Sequence, residues 1–270
     1  MPMTAITIRL LVAATAILLL SPTLRAAEVR ELARIFDGYD ACFVVHDVRR
    51  NDTLRWNAER CAKRFSPCST FKIPNTLIAL ETGAATDADF VQKWDGTKQP
   101  FKGWEKDHSL RTAFPASCLW YFQGLAASSG EKRMRHFVNR FDYGNRDLSG
   151  GLTNFWLQSS LKISADEQVE FLKRMLSNEL PVSKRATDLL KEIMIVTGSG
   201  EEAMRGKTGT AGDPVKRIPT LGWYVGYHSR GEDAYIFAVN ISGGENPSGR
   251  TAGKLVEQLL EKLGVKSKAR

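Results

Sequence analysis

Three short strings hold residues whose types and spacing could do chemistry: Ser69-Thr70-Phe71-Lys72, Tyr143-Gly144-Asn145 and Lys207-Thr208-Gly209. Ser69 and Lys72 stand three positions apart, which on a helix is one face, so the amine can take the proton of the hydroxyl. Lys207-Thr208-Gly209 reads as a basic strand end that can bind a carboxylate. Ser-x-x-Lys alone says little, since a chain of this length should hold about one by accident. Ser129-Gly130-Glu131-Lys132 and Ser159-Ser160-Leu161-Lys162 also fit, and read as turns or surface. Ser69 is set apart by the apolar helix that follows it and by Lys-Thr-Gly downstream. Other chemistries find little support. His46, His108, His136 and His228 are isolated, and no His-Glu-x-x-His, Cys-x-x-Cys, Gly-x-Ser-x-Gly or Gly-rich phosphate loop occurs.

The elements around these strings follow from periodicity. Phe71, Ile73, Leu77, Ile78 and Leu80 predict a helix that begins at Ser69 and stops at Gly83, with Pro74 tolerated in its first turns. Residues 131–140, 165–178 and 183–195 also read as helices, the second opened by a capping box at Ser164-Ala165-Asp166-Glu167, and residues 251–264 as an amphipathic closing helix. Strands are predicted at 43–47 and 53–56, then at Lys207–Thr210, Leu221–His228 and Ala234–Ile241, with Ala211–Thr220 a loop by composition. Strands, then helices, then strands imply an α+β fold: a mainly antiparallel sheet domain built from residues 27–66 and 196–270, flanked by terminal helices. A mainly helical domain, 67–195, is inserted, and the cleft between the two is the place for a site.

Arg9, the apolar run Leu10–Leu20 and the small pair Ala26-Ala27 read as a secretory signal peptide over residues 1–26. An 11-residue apolar run is too short to cross a bilayer of roughly 30 Å, so the mature chain is expected to be exported, periplasmic and without a membrane anchor. Its removal takes Arg9 and Arg25, lowering the formal charge from +8 to +6. The remaining basic residues are scattered without interleaved aromatics, which speaks against nucleic acid and leaves room for an anionic small substrate. In an exported chain four cysteines are permissive for disulfides. A hairpin at 43–56 would set Cys42 opposite Cys61. Cys68 and Cys118, each beside a serine, could meet only if both serines line one cleft, and two buried free thiols are the alternative.

The chain resembles the serine β-lactamases and penicillin-binding proteins, and within them a class D β-lactamase. The resemblance rests on Ser69-Thr70-Phe71-Lys72-Ile73-Pro74-Asn75, Phe141-Asp142-Tyr143-Gly144-Asn145, Trp156-Leu157, Lys207-Thr208-Gly209 and Gly222-Trp223-Tyr224-Val225-Gly226. It implies a Ser69 acyl-enzyme on a β-lactam substrate, with Lys72 as general base, N-carboxylated by CO2, and no metal or other cofactor. Burial and positive neighbours such as Lys207 are expected to lower the pKa of Lys72. The resemblance further implies that the Trp156 indole orients the carbamate and that Ser117 and Lys207 return a proton to the leaving nitrogen. The amides of Ser69 and Thr210 would form the oxyanion hole, and Thr208, Gly209 and Arg250 would hold the substrate carboxylate. One departure stands out: Ser117-Cys118-Leu119 replaces Ser-x-Val, so Leu119 with Leu157 would set water access to Lys72. A β-lactam sensor domain and a D-Ala-D-Ala peptidase are the alternatives on the same fold.

Overall fold

The computed structural model describes residues 22–213, 216 and 218–265. Residues 1–21, most of the predicted leader, lie outside them. The backbone of α1 (Pro22–Ala33) runs through the expected cut at Ala26-Ala27. Among the described residues no helix is long and apolar enough to cross a membrane.

Strands β1 (Asp40–Asp47) and β2 (Asp52–Trp56) form an antiparallel hairpin in which Val45 faces Leu54. A small ribbon, β3 (Val91–Gln92) with β4 (His108–Ser109), stands apart from them. The main sheet resumes with β5 (Ile195–Ser199), β6 (Glu202–Asp213), β7 (Ile218–Arg230) and β8 (Asp233–Ser242). Its order is β2-β1-β8-β7-β6-β5, and every neighbouring pair is antiparallel. The six central residues of β1 are buried without alternation, because both faces of the sheet are covered. One face packs Phe43, Phe237 and Val239 on Phe36 and on Val256 and Leu259 of α9 (Gly249–Lys262). The other packs Trp223 and Val225 against Phe71, Trp156 and the helical core.

Helices α2 (Ala58–Ala62), α3 (Lys72–Thr82), α4 (Leu110–Ala116), α5 (Leu119–Ser129), α6 (Glu131–Arg140), α7 (Ala165–Leu176) and α8 (Lys184–Ile193) lie between β2 and β5. The capping box of α7 is made: Glu167 N–H donates to Ser164 Oγ at 3.2 Å and Ser164 N–H to Glu167 Oε2 at 2.8 Å. Gly83 ends α3 at φ 75°, a conformation cheap for glycine.

Three expectations change. The helix expected from Ser69 opens as a 3-10 turn, Cys68–Phe71, and becomes α-helical only at Lys72. Within the segment 211–220, residues 211–213 and 218–220 are strand. Its turn-rich composition marks the end of the hairpin, but the ladder runs through Gly212 and Pro219 by way of a bulge after Ala211. All four cysteines are free and buried. Cys61 lies on α2 rather than opposite Cys42 on a strand, and its thiol donates to the carbonyls of Trp56 and Phe43 at 3.2 and 3.5 Å. Cys42 is hydrogen-bonded to Cys61 by its thiol and paired through its backbone with Asn240.

Candidate active site

The 3-10 turn decides the geometry of the first motif. At three residues per turn, positions i and i+3 eclipse, so Lys72 stacks under Ser69 and its Nζ donates to Ser69 Oγ at 2.9 Å. Ser69 is half-buried, whereas Lys72 is 1% exposed, beside the ring of Phe122 at 5.3 Å. Burial lowers the Lys72 pKa from 10.5 to about 8, against the thiols of Cys118 and Cys68, which act to raise it. At neutral pH the amine is therefore within reach of its proton-accepting form.

Lys207 reaches the same region from β6. It is buried against the Phe114 ring, 5.8 Å from its centroid, and donates to Thr208 O at 3.1 Å. Burial, and then the charge of Lys72, holds its pKa well below 10.5. The repulsion between the two ammonium groups belongs to the pair, so each makes the other easier to deprotonate. Burial is thus the main cause at both lysines, and the repulsion between them adds to it.

Gly209 explains how β6 can pass so close to the serine turn. A Cβ there would stand 2.8 Å from Pro67 O and 3.1 Å from Thr70 Cγ2, so only glycine fits. The N–H of Gly206 donates to Met194 O at 3.0 Å, the last bond from β6 toward its outer neighbour. N–H groups two and four residues on, at Thr208 and Thr210, face the same side, and there the edge is open. Thr210 Oγ1 accepts from Gly249 N–H at 2.9 Å, fixing α9 beside the strand with Arg250 exposed in its first turn. Thr208 and Arg250 line one groove together with Lys207.

Ser117 caps α4 in the left-handed region, φ 54°, at the junction with α5, and is half-buried. Leu119 and Leu157 pack, half-buried, on the core cluster that contains Cys118 and Trp156. Trp156 is fully buried and stacked on Phe71, ring centroids 5.2 Å apart. Its carbonyl accepts from Cys68 N–H and Ser66 Oγ, both at 3.0 Å, while its indole Nε1–H is buried without an acceptor. Such an orphan donor costs about 1–3 kcal/mol unless something not drawn from the chain accepts from it.

Tyr143 is buried behind the serine turn. Its hydroxyl donates to Gln168 Oε1 at 3.3 Å, and Gln168 Nε2 donates to Thr70 Oγ1 at 2.9 Å, tying α7 to the residue after Ser69. Gly144 leaves room for the Lys162 carbonyl, which a Cβ would meet at 2.0 Å, and Asn145 bonds the same loop through Lys162 N–H and Ser160 O at 2.9 Å each. This motif braces the serine turn and the 160–162 loop from behind.

Sequence reasoning missed Phe114 and Phe122, the rings beside the two lysines, and Gln168. Nothing in spacing distinguishes them from ordinary core. It also missed Gln158, which grips β6 with both ends of its amide: Nε2 donates to Gly212 O at 2.9 Å and Oε1 accepts from Gly212 N–H at 3.0 Å. The decoy Ser129 is buried under a Thr82 hydroxyl 3.4 Å away, with Lys132 exposed. His46 is bonded to Thr53 and His108 to Thr112 and Gly103, as structural residues. Among the described residues no group of three or more His, Cys, Asp or Glu is arranged to hold a metal.

The profile of the penicillin binding protein transpeptidase domain matches residues 41–261. The chain is 41% identical over 199 residues to beta-lactamase OXA-5 of Pseudomonas aeruginosa, covering 74% of each. A class D beta-lactamase structure from Bacillus subtilis superposes with a TM-score of 0.82 at 37% identity, covering 88% of this chain and 97% of that one. The C-terminal domain of the BlaR penicillin-receptor of Bacillus licheniformis does so with 0.81 at 33%, covering 87% and 95%. With a serine and a buried amine in contact beneath an open strand edge, and relatives of this identity along most of its length, the chain belongs to the class D serine β-lactamases.

Proposed function

We propose that this class D β-lactamase opens the amide of a β-lactam through an acyl-enzyme on Ser69, with Lys72 as general base. The observation that carries the reading is the 2.9 Å hydrogen bond between Lys72 Nζ and Ser69 Oγ inside a site whose apolar burial brings the amine's pKa down to about 8. A neutral amine accepts the hydroxyl proton as Ser69 attacks; an ammonium could not. The N–H groups of Ser69 and Thr210 take the oxyanion, the first at the start of a helical turn and the second on the open edge of β6. Thr208 and Arg250 hold the substrate carboxylate, Arg250 by its planar fork and Gly209 by letting the strand lie close. Ser117, aided by Lys207, returns a proton to the leaving nitrogen.

Carboxylation of Lys72 by CO2 would supply an anionic base for both acylation and hydrolysis. The residues present suit it. Burial raises the share of neutral Lys72 that can react with CO2, and Trp156 offers a buried donor that lacks an acceptor. Leu119 and Leu157 cover the lysine, and the larger Leu119 narrows the way for water. No metal enters this chemistry. The leader-like start of the chain supports export to the periplasm, where β-lactams are met.

Turnover of a chromogenic cephalosporin tests the reading. Wild type should show a sustained steady state that Ser69→Ala abolishes. The BlaR relative gives a specific reason to weigh a sensor: one stoichiometric burst with no steady state would favour it. Release of D-alanine from a D-Ala-D-Ala peptide without β-lactam turnover would favour a peptidase.

A further inference from the structure

Ser66 stands three residues before Ser69 and is buried, and its hydroxyl is used in full. It donates to Trp156 O at 3.0 Å, accepts the N–H of Gln158 at 2.8 Å and accepts the Cys68 thiol at 3.7 Å. One oxygen therefore joins the serine turn to the peptide units on both sides of Leu157. Trp156 O also accepts from Cys68 N–H at 3.0 Å, so the two segments are stitched together at one point.

The backbone on both sides of that point is strained. Cys68 and Gln158 are left-handed, at φ 48° and 52°, although neither is a glycine. Such residues persist only where their surroundings over-determine them, and they gather at functional sites. Both contact the Ser66 hydroxyl, and Pro67 fixes φ at −67° between Ser66 and Cys68. The fold at this junction has other supports. Phe65 and Ile163 exchange backbone bonds at 2.9 and 2.8 Å, and the Trp223 indole donates to Ser66 O at 2.9 Å. What the hydroxyl adds is the orientation of the turn from Trp156 to Gln158, which carries the orphan indole N–H.

We infer that Ser66 is a positioning residue whose hydroxyl aims the Trp156 indole at the carbamate on Lys72. The inference rests on the carbamate proposed above and deepens it. There Lys72 Nζ bonds the carbon of CO2 and gives up one proton, leaving one negative charge for the indole to hold. The indole is stacked on Phe71, the residue before Lys72, with ring centroids 5.2 Å apart, so a turn of the Trp156 backbone re-aims Nε1. A hydrogen bond to an anion is strong only while it stays short and straight. The contact between Ser69 and Lys72 runs inside the 3-10 turn, which Thr70 holds by its own N–H and hydroxyl, both donating to Pro67 O, at 3.1 and 2.8 Å. Loss of the Ser66 hydroxyl should thus weaken the hold on the carbamate and leave the attack geometry in place.

Titration with 13C-labelled bicarbonate, following the carbamate carbon by NMR, tests this in wild type, Ser66→Ala and Ser66→Thr. The apparent bicarbonate Kd should rise about tenfold in Ser66→Ala, as when one charge-assisted hydrogen bond is misaimed, and by no more than about twofold in Ser66→Thr, which keeps the hydroxyl. The bicarbonate concentration for half-maximal turnover of a chromogenic cephalosporin should rise in step. Acylation in saturating bicarbonate should stay within about twofold of wild type, because the reacting atoms have not moved. Without bicarbonate both variants should melt within a few degrees of wild type. A Ser66→Thr no better than Ser66→Ala, or a Ser66→Ala that fails to fold or loses acylation in proportion, overturns the inference. Absence of the carbamate signal from wild type would sink the carbamate reading itself, whereas a signal of equal affinity in wild type and Ser66→Ala would sink the role of Ser66 alone.

Discussion

Replacing Trp156 with phenylalanine separates two roles of the indole. The ring is fully buried, stacked on Phe71 at 5.2 Å and edge-on to Phe155 at 5.0 Å. Trimming it to a benzene ring loses contacts worth on the order of 1–2 kcal/mol. Against that, the substitution removes a buried N–H that has no acceptor, whose cost is about 1–3 kcal/mol. The carbonyl bonds to Cys68 and Ser66 belong to the backbone and survive. Without bicarbonate, then, the variant should melt within a few degrees of wild type, since about 1 kcal/mol moves Tm by roughly 2–4 °C in a chain of this size. With bicarbonate the two should part. A carbamate on Lys72 held by the indole gains a charge-assisted hydrogen bond of about 1.5–3 kcal/mol, which multiplies its occupancy by roughly 10 to 150. Bicarbonate at about a hundred times its apparent Kd would stabilise wild type by about 2.7 kcal/mol, or roughly 5–10 °C. Trp156→Phe should lose most of that shift, and Lys72→Met, with no amine to modify, all of it. Differential scanning calorimetry at matched ionic strength reads all three. Equal bicarbonate shifts in the three proteins would refute the reasoning, as would a variant that melts 10 °C low without bicarbonate.

Acylation by Lys72 as a free amine should rise with pH through about 8 in bicarbonate-depleted buffer, followed by stopped-flow; a flat profile from pH 6 to 9 speaks against the amine as base. Lys72→Met should abolish turnover yet raise stability at pH 7 by up to about 3 kcal/mol, because a buried lysine held below its ordinary pKa destabilises the fold there. Gln158→Ala should lower hydrogen-exchange protection at Gly212 by removing its N–H partner, with little change in Tm, since one or two net hydrogen bonds near the surface are worth about 1–2 kcal/mol. Thiol titration of the denatured, unreduced protein should find four reactive cysteines per chain; two would mean that Cys42 and Cys61 had joined.

Much of this fold could be read from the chain because its strands and helices carry strong periods. The capping box at Ser164 and the glycine stop at Gly83 marked helix ends that the structure keeps. The segment 211–220 was misleading for a physical reason: Gly212, Asp213 and Pro214 are turn residues, and composition cannot tell a hairpin tip from the bulged strands that lead into it. At the site, Ser69, Lys72 and Lys207 were visible as chemistry, and Gly209 as part of a motif. Phe114, Phe122, Gln158 and Ser66 were not, because each matters through a neighbour distant in sequence.

The two lysines show why the apolar walls matter as much as the nucleophile. Both could pair with a carboxylate, and a carboxylate beside Lys72 would stabilise the protein by restoring an ammonium. It would also remove the base. The chain instead sets Lys72 among Phe122, Cys68 and Cys118, and Lys207 against Phe114, so that desolvation weakens the hold of both amines on their protons. The sign follows from linkage. A lysine whose folded pKa lies near 8 and whose unfolded pKa is near 10.5 binds more protons unfolded than folded in that interval, so stability rises with pH across it. Below about 8 both states are protonated, and the penalty is present in full. A urea midpoint that climbs more steeply between pH 8 and 10 in wild type than in Lys72→Met, where the buried Lys207 alone is left to drive a rise, would show that the fold carries the cost of its own base; parallel curves would place that cost elsewhere.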